Sequence, residues 1–194
     1  MASEIDVELM QRAIANAARS RFLASPNPWV GSVVAARDGT VFDGATRPPG
    51  GAHAERVALG AAGDHADGST VYTTLEPCSH TGRTGPCTDA LIDADVARVV
   101  VGILDPDPLV AGSGVAQLRA AGIAVEVGVC SADVEQQLEP YLHHRRTGRP
   151  LVVLKMALSL DGRTAAPDGS SQWITGPEAR SAVHRIRAES DAIL

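Results

Sequence analysis

The sequence predicts an α/β sandwich whose later strands pair in parallel, followed by the start of a second α/β unit. Two observations carry this. Strand-like and helix-like runs alternate from about residue 30 to residue 127, the pattern of a layered α/β domain. After about residue 140 the chain turns polar, and the apolar runs beyond it are too short to build a sheet of their own.

The elements follow in order. Residues 5–19 place Ile5, Leu9, Ala13 and Ala17 on one face, with Met10 and Ile14 alongside, which is helical spacing. Ser25-Pro26-Asn27-Pro28 ends that helical run, because proline lacks a donor and restricts its predecessor. Val30 to Ala35 reads as a strand, Arg37-Asp38-Gly39-Thr40 as a hairpin turn, and Val41-Phe42 as the return strand. The stiff loop Pro48-Pro49-Gly50-Gly51 leads into a helix from about His53 to Leu59. Ser69 to Leu75 is a strand, Thr88 to Ile92 a helix, and Val96 to Val101 a strand. Asp105-Pro106-Asp107-Pro108 is a rigid loop, Val115 to Ala121 a helix, and Ile123 to Val127 a strand. His143 to Pro150 reads as a polar linker and Leu151 to Met156 as a new apolar strand. Ser159-Leu160-Asp161-Gly162 is a turn. Thr175-Gly176-Pro177-Glu178 resembles a capping box before a helix over 179–188, and residues 191–194 read as the beginning of another strand.

Charge and composition narrow the function classes. The net charge is −6 and there is no basic run, which argues against a nucleic-acid partner. No apolar run reaches about 18 residues, so no membrane span is expected. The acidic start, Met1 to Asp6, lacks a signal-peptide pattern, and the expected location is the cytoplasm. Three cysteines suit a metal site in a reducing compartment better than a disulfide framework. Cys130 has no partner motif and reads as a structural thiol.

The chemistry lies in a split ligand set: His53-Ala54-Glu55, then Pro77-Cys78, then Pro86-Cys87. One imidazole and two thiolates fill three corners of a zinc tetrahedron and leave the fourth free for water. Zinc brings the pKa of such a water to about 7, and a carboxylate that does not ligate is then available to move protons. His-x-Glu followed by Pro-Cys-x-x-Cys is the pattern of zinc deaminases. Here the cysteine gap is stretched, from Ser79 to Pro86. Glu55 lies about 200° from His53 around an ideal helix, so the two share a site only at the helix N-terminus. Helix starts meeting strand ends are a common ligand location in such sheets, and they favour thiolates. A purely structural zinc site needs a fourth protein ligand, for which His80 is the candidate.

Specific runs extend this pattern. They are Pro26-Asn27-Pro28 with Val30-Gly31, the continuous stretch from Thr74 to Cys87, and Asp105 to Gly112. Leu154 to Gly162 and Ser171 to Thr175 add to them. With these, nearly all of the chain resembles the bacterial bifunctional riboflavin biosynthesis family RibD. The resemblance implies a zinc-dependent deaminase domain over 1–147, folded as a cytidine deaminase-like three-layer α/β/α sandwich. Residues 148–194 would then be the N-terminal fragment of a reductase domain, the incomplete start of a dihydrofolate reductase-like α/β fold.

The implied reaction converts 2,5-diamino-6-(5-phosphoribosylamino)pyrimidin-4(3H)-one to 5-amino-6-(5-phosphoribosylamino)uracil. The reductase of such proteins uses NADPH to open the ribose. Carried onto this sequence, the zinc ligands are His53, Cys78 and Cys87, and the proton shuttle is Glu55. Asn27, His80, Arg83 and Thr84 line the substrate pocket, with Arg83 suited to the phosphate. Ala157 and Trp173 contact NADPH, and Ser171 and Arg187 contact the reductase substrate. NADPH is expected only where the reductase domain is completed. Thr46 stands where many relatives carry a histidine. The expected partner is a small phosphorylated pyrimidine, with a homo-oligomer as a further expectation. Two other readings stay open: a deaminase of another base or nucleoside, and a non-catalytic zinc-binding partner of a separate reductase.

Overall fold

The computed structural model describes residues 3–82, 84–108 and 110–194. The chain divides into two compact units, Met1–Pro150 and Leu151–Leu194.

In the first unit the alternating pattern becomes a five-stranded mixed sheet of order β2-β1-β3-β4-β5. The strands are β1 Gly31–Ala35, β2 Val41–Ala45, β3 Thr70–Leu75, β4 Arg98–Ile103 and β5 Ala124–Val127. β1 runs antiparallel to both β2 and β3, while β3, β4 and β5 are parallel. The parallel pairs need crossovers, which the intervening helices supply. β3 and β4 are buried on both faces, as near-continuous apolar runs dictate.

Helices cover both faces. Helix α1 (Glu4–Ala18) packs Leu9, Met10 and Ala13 against Val33, Tyr72 and Val100. On the opposite face lie α3 (Ala54–Ala62), α4 (Cys87–Asp93) and α5 (Ser113–Ala120). They pack Ala58, Ala62, Leu91, Val115 and Leu118 against Val34, Val71, Val99 and Val101. The alternation of Val33 with Val34, and of Val100 with Val99 and Val101, divides the two layers as the period of two requires. A short turn of helix, α2 (Arg21–Ala24), precedes Ser25-Pro26. This is a three-layer α/β/α sandwich, the architecture that the resemblance implies.

Several elements differ from expectation. His143 to Thr147 are not linker: they belong to helix α7 (Glu139–Thr147), which follows α6 (Ser131–Gln137). Polarity alone misleads there, because only one face is needed for docking. Leu142 is buried beside Leu138 and Val134, and Tyr141 packs against them. Gly148, at φ 68°, ends α7 in the left-handed conformation that glycine favours.

In the second unit, Leu151 to Met156 and residues 191–194 form no strand. Val152 and Leu154 are more than four-fifths exposed. A strand is held by its ladder partners, and none pairs with these segments among the described residues. The turn over 159–162 is present, closed by the Gly162 N–H donating to the Ser159 carbonyl at 2.9 Å. Helix α8 (Pro177–Ala188) begins at Gly176 without a side-chain cap, so Thr175 and Glu178 form no capping box. Thr175 instead offers its carbonyl to Arg180. No helix among the described residues is long and apolar enough to cross a membrane.

Candidate metal centre

The three ligand candidates sit where helix starts meet the end of β3. His53 is the N-cap of α3, with extended backbone, and Glu55 is the second residue of that helix. At a helix start the two side chains converge, although mid-helix geometry would separate them. The turn that carries them lies directly on β2: a β-carbon at Gly44 would fall 2.2 Å from the Ala54 carbonyl oxygen. Cys78 follows β3 by three residues, and Cys87 is the first residue of α4.

His53 Nδ1 lies 3.5 Å from Cys78 Sγ and 3.4 Å from Cys87 Sγ. A tetrahedral zinc with ordinary Zn–S and Zn–N bonds sets an N···S edge of about 3.6 Å. The donor set therefore fits zinc in both chemistry and spacing. These three residues form the metal-ligating group found among the described residues. His80 is exposed and stands outside it, so among the described residues no fourth protein ligand closes the site.

Glu55 is buried, with Oε2 3.5 Å from Cys87 Sγ. Burial pushes its carboxyl up to about 7, so near neutrality it both accepts and releases a proton. The neighbours Cys87 and His53 draw the Cys78 thiol far below the ordinary thiol range, and the Cys87 N–H donates to its Sγ at 3.4 Å, while the adjacent Cys78 and burial hold the Cys87 thiol up. A helix start was expected to favour both thiolates. For Cys87 the neighbouring thiolate and burial outweigh it. The hydrogen bond to Cys78 also raises the pKa of His53, against the opposing effect of burial.

Asn27 and Thr84 are half-buried, and Arg83 lies outside the described residues. Thr46 turns inward: its hydroxyl accepts from the Val30 N–H at 3.0 Å and its own N–H donates to the Val30 carbonyl. It holds the end of β2 against the segment that enters β1. In the second unit Ser171 and Trp173 line one concavity of about 370 Å³, and Arg180 stacks 4.3 Å from the Trp173 ring. Ala157 and Arg187 are not part of that lining. A larger cavity of about 500 Å³, lined by Ile5, Arg12, Arg37 and Tyr72, contains none of the candidate residues.

Sequence reading missed a buried carboxylate. Glu76 Oε2 accepts from the N–H groups of Asp105 (3.2 Å) and Gly112 (2.9 Å), and Oε1 accepts from Val115 (3.0 Å). It occupies the N-terminus of α5 and fixes the loop from Asp105 to that helix. Asp105 in turn accepts from the Tyr141 hydroxyl at 3.0 Å. A β-carbon at Gly114 would lie 2.0 Å from the Pro77 carbonyl oxygen, so α5 rests against the residue before Cys78. The available signal was a glutamate inside the Thr74-to-Cys87 run, next to a ligand. Its partners are backbone groups, which residue types do not reveal.

The model of the cytidine and deoxycytidylate deaminase zinc-binding region matches residues 3–103, and that of the RibD C-terminal domain matches 150–194. The riboflavin biosynthesis protein RibD of Escherichia coli is 50% identical over 189 residues, covering 97% of this chain and 52% of the relative. The structure of Acinetobacter baumannii RibD superposes with a TM-score of 0.87 at 48% identity, covering 95% of this chain and 52% of the other. That of the diaminohydroxyphosphoribosylaminopyrimidine deaminase/5-amino-6-(5-phosphoribosylamino)uracil reductase of Thermotoga maritima gives 0.88 at 39%, covering 94% and 52%. The chain spans about half the length of the curated relatives it matches.

Proposed function

Since this chain belongs to the cytidine and deoxycytidylate deaminase family and is similar to RibD proteins, we propose that it is a hydrolytic deaminase of a phosphorylated diaminopyrimidine. His53, Cys78 and Cys87 hold zinc, which when bound acidifies water to near-neutral pKa. Glu55 takes a proton from the attacking water and gives it to the ring nitrogen beside the amino-bearing carbon. It then takes the remaining proton from the newly added hydroxyl, which becomes the carbonyl, and delivers it to the amino group as the C–N bond breaks, so one water enters and one ammonia leaves. Half-buried His53 and Cys78 leave one side open for substrate, while buried Glu55 keeps bulk water from its proton. Asn27, His80, Arg83 and Thr84 are the substrate-contact positions of this reading. Residues 1–147 carry the deaminase, and 148–194 contribute Ala157, Trp173, Ser171 and Arg187 to a reductase that binds NADPH only when that domain is completed. Three free cysteines fit a reducing cytoplasm.

The observation that carries the reading is the convergence of His53 Nδ1 on both thiols with a buried glutamate alongside. The test is ammonia release by zinc-loaded protein from the phosphorylated diaminopyrimidine. Turnover of cytidine or guanine in its place would overturn the substrate. Equimolar zinc with no turnover of any of the three would favour a binding partner over an enzyme.

A further inference from the structure

The long gap between the cysteines raises a physical problem. With two intervening residues the backbone itself holds two thiols together, but eight residues do not. A flexible loop carries a closure cost and leaves its second ligand free to drift. Part of the answer lies at the loop ends. The Thr88 N–H and hydroxyl both donate to the Cys78 carbonyl, at 3.2 and 3.3 Å, and the Cys87 N–H donates to Cys78 Sγ at 3.4 Å. Ser79 and Ser113 share a hydrogen bond of 2.6 Å at the loop's beginning.

Just ahead of Cys87 the fastening comes from elsewhere. Arg56 Nε donates to the Gly85 carbonyl at 3.2 Å, and Nη2 donates to the Pro86 carbonyl at 3.0 Å. Arg56 is the third residue of α3, directly after Glu55. A cation in a helix's first turn opposes the macrodipole, an unfavourable placement. Two charge-assisted hydrogen bonds to adjacent carbonyls offset that cost. The fit is close: a β-carbon on Gly85 would lie 3.0 Å from Nη2.

We infer that Arg56 is a positioning residue of the metal centre, in addition to the ligands and Glu55. It ties the helix that presents His53 and Glu55 to the segment that delivers Cys87, so the three ligand atoms keep their spacing through the stretched loop. The inference rests on the zinc reading above. Arg56 acts through Cys87 and touches no ligand atom by the bonds described. Lysine at this position keeps the charge and reaches one carbonyl at a time, so it restores the function only in part.

The test compares wild type, Arg56→Met and Arg56→Lys in full-length chains by competition for zinc with a chromophoric chelator. Hydrogen exchange of residues 79–87 is followed in the zinc-loaded proteins, and metal-free thermal unfolding reports on the fold. The expected result is a zinc dissociation constant raised about 10-fold or more in Arg56→Met, in the range typical of groups that orient ligands. Exchange around Gly85 should be faster, the metal-free melting temperature little changed, and Arg56→Lys intermediate in both zinc readouts. Zinc affinity and exchange within twofold of wild type in Arg56→Met would overturn the role of Arg56 and leave the zinc site standing. Absence of equimolar zinc in wild type would remove the zinc reading and this inference together. If Arg56→Met does not fold, Arg56→Lys decides: wild-type zinc affinity and exchange overturn the role, and a loss in both sustains it.

Discussion

At the scale of single residues, burial decides what each carboxylate does. Glu55 and Asp6 are both buried, yet their pKa values move in opposite directions. Glu55 faces a thiol and no cation among its bonded partners, so desolvation raises it. Replacing it by glutamine should leave the zinc content unchanged and lower the deamination rate by about 10²–10⁴-fold, read by ammonia release and metal analysis. Asp6 instead accepts from Arg98 Nη1 at 2.6 Å, from the Tyr72 hydroxyl at 2.9 Å and from Ser3, and the Arg98 guanidinium holds it far below the usual range. A depressed carboxylate adds stability that is present above its unfolded pKa of about 3.9 and lost as pH falls below it. Asp6→Asn should therefore destabilise the protein by about 2 kcal/mol at pH 7, with the gap to wild type closing in denaturant titrations below about pH 4. A constant gap down to pH 2 would exclude the linkage. The position of Glu55 beside the cysteines was legible in the sequence, from spacing and residue type. The Asp6–Arg98 pair was not, since its members are far apart in the chain and neither belongs to a motif.

At the scale of elements, the site depends on how closely helix starts approach the sheet. In the first unit the strands, helices α1, α3, α4 and α5, and the hairpin all stand within a few residues of where the sequence pattern placed them. The close approach at Gly114 was not visible, because a glycine in a loop-to-helix passage reads as ordinary flexibility. A methyl group there strikes the Pro77 carbonyl and pushes α5 away from the Glu76-Pro77-Cys78 segment. Gly114→Ala should destabilise the fold by about 1–3 kcal/mol and weaken zinc retention along with it. Parallel thermal melts and chelator release would show both effects, and a normal melt with normal release would refute the contact. Helix α7 was misread for a related reason. A basic, polar segment looks like a linker until Tyr141 and Leu142 are seen to dock.

At the scale of the whole molecule, a zinc ion held by His53, Cys78 and Cys87 would tie together three segments that the chain brings from distant positions. A ligand bound only by the folded state stabilises it by about 2.7 kcal/mol at 100 times its dissociation constant. Chelation should thus lower the melting temperature by about 5–10 °C, and Cys87→Ser should lose that response. A melt indifferent to zinc in the wild type would show that the three side chains bind no metal. By itself the sequence determined the α/β class, the order of most elements in the first unit, and the three candidate ligands and the glutamate that the structure brings together. Each is written in local periodicity, or in residue types whose chemistry is specific at short spacing. Only the tertiary structure decided that the His53 ring comes within 3.5 Å of both cysteine sulfurs, that α5 rests against the residue before Cys78, and that Glu76 and Arg56 bond the loops around them. The physical reason is that these contacts join backbone groups and buried charges across the fold, and a backbone carbonyl or N–H leaves no mark in a sequence.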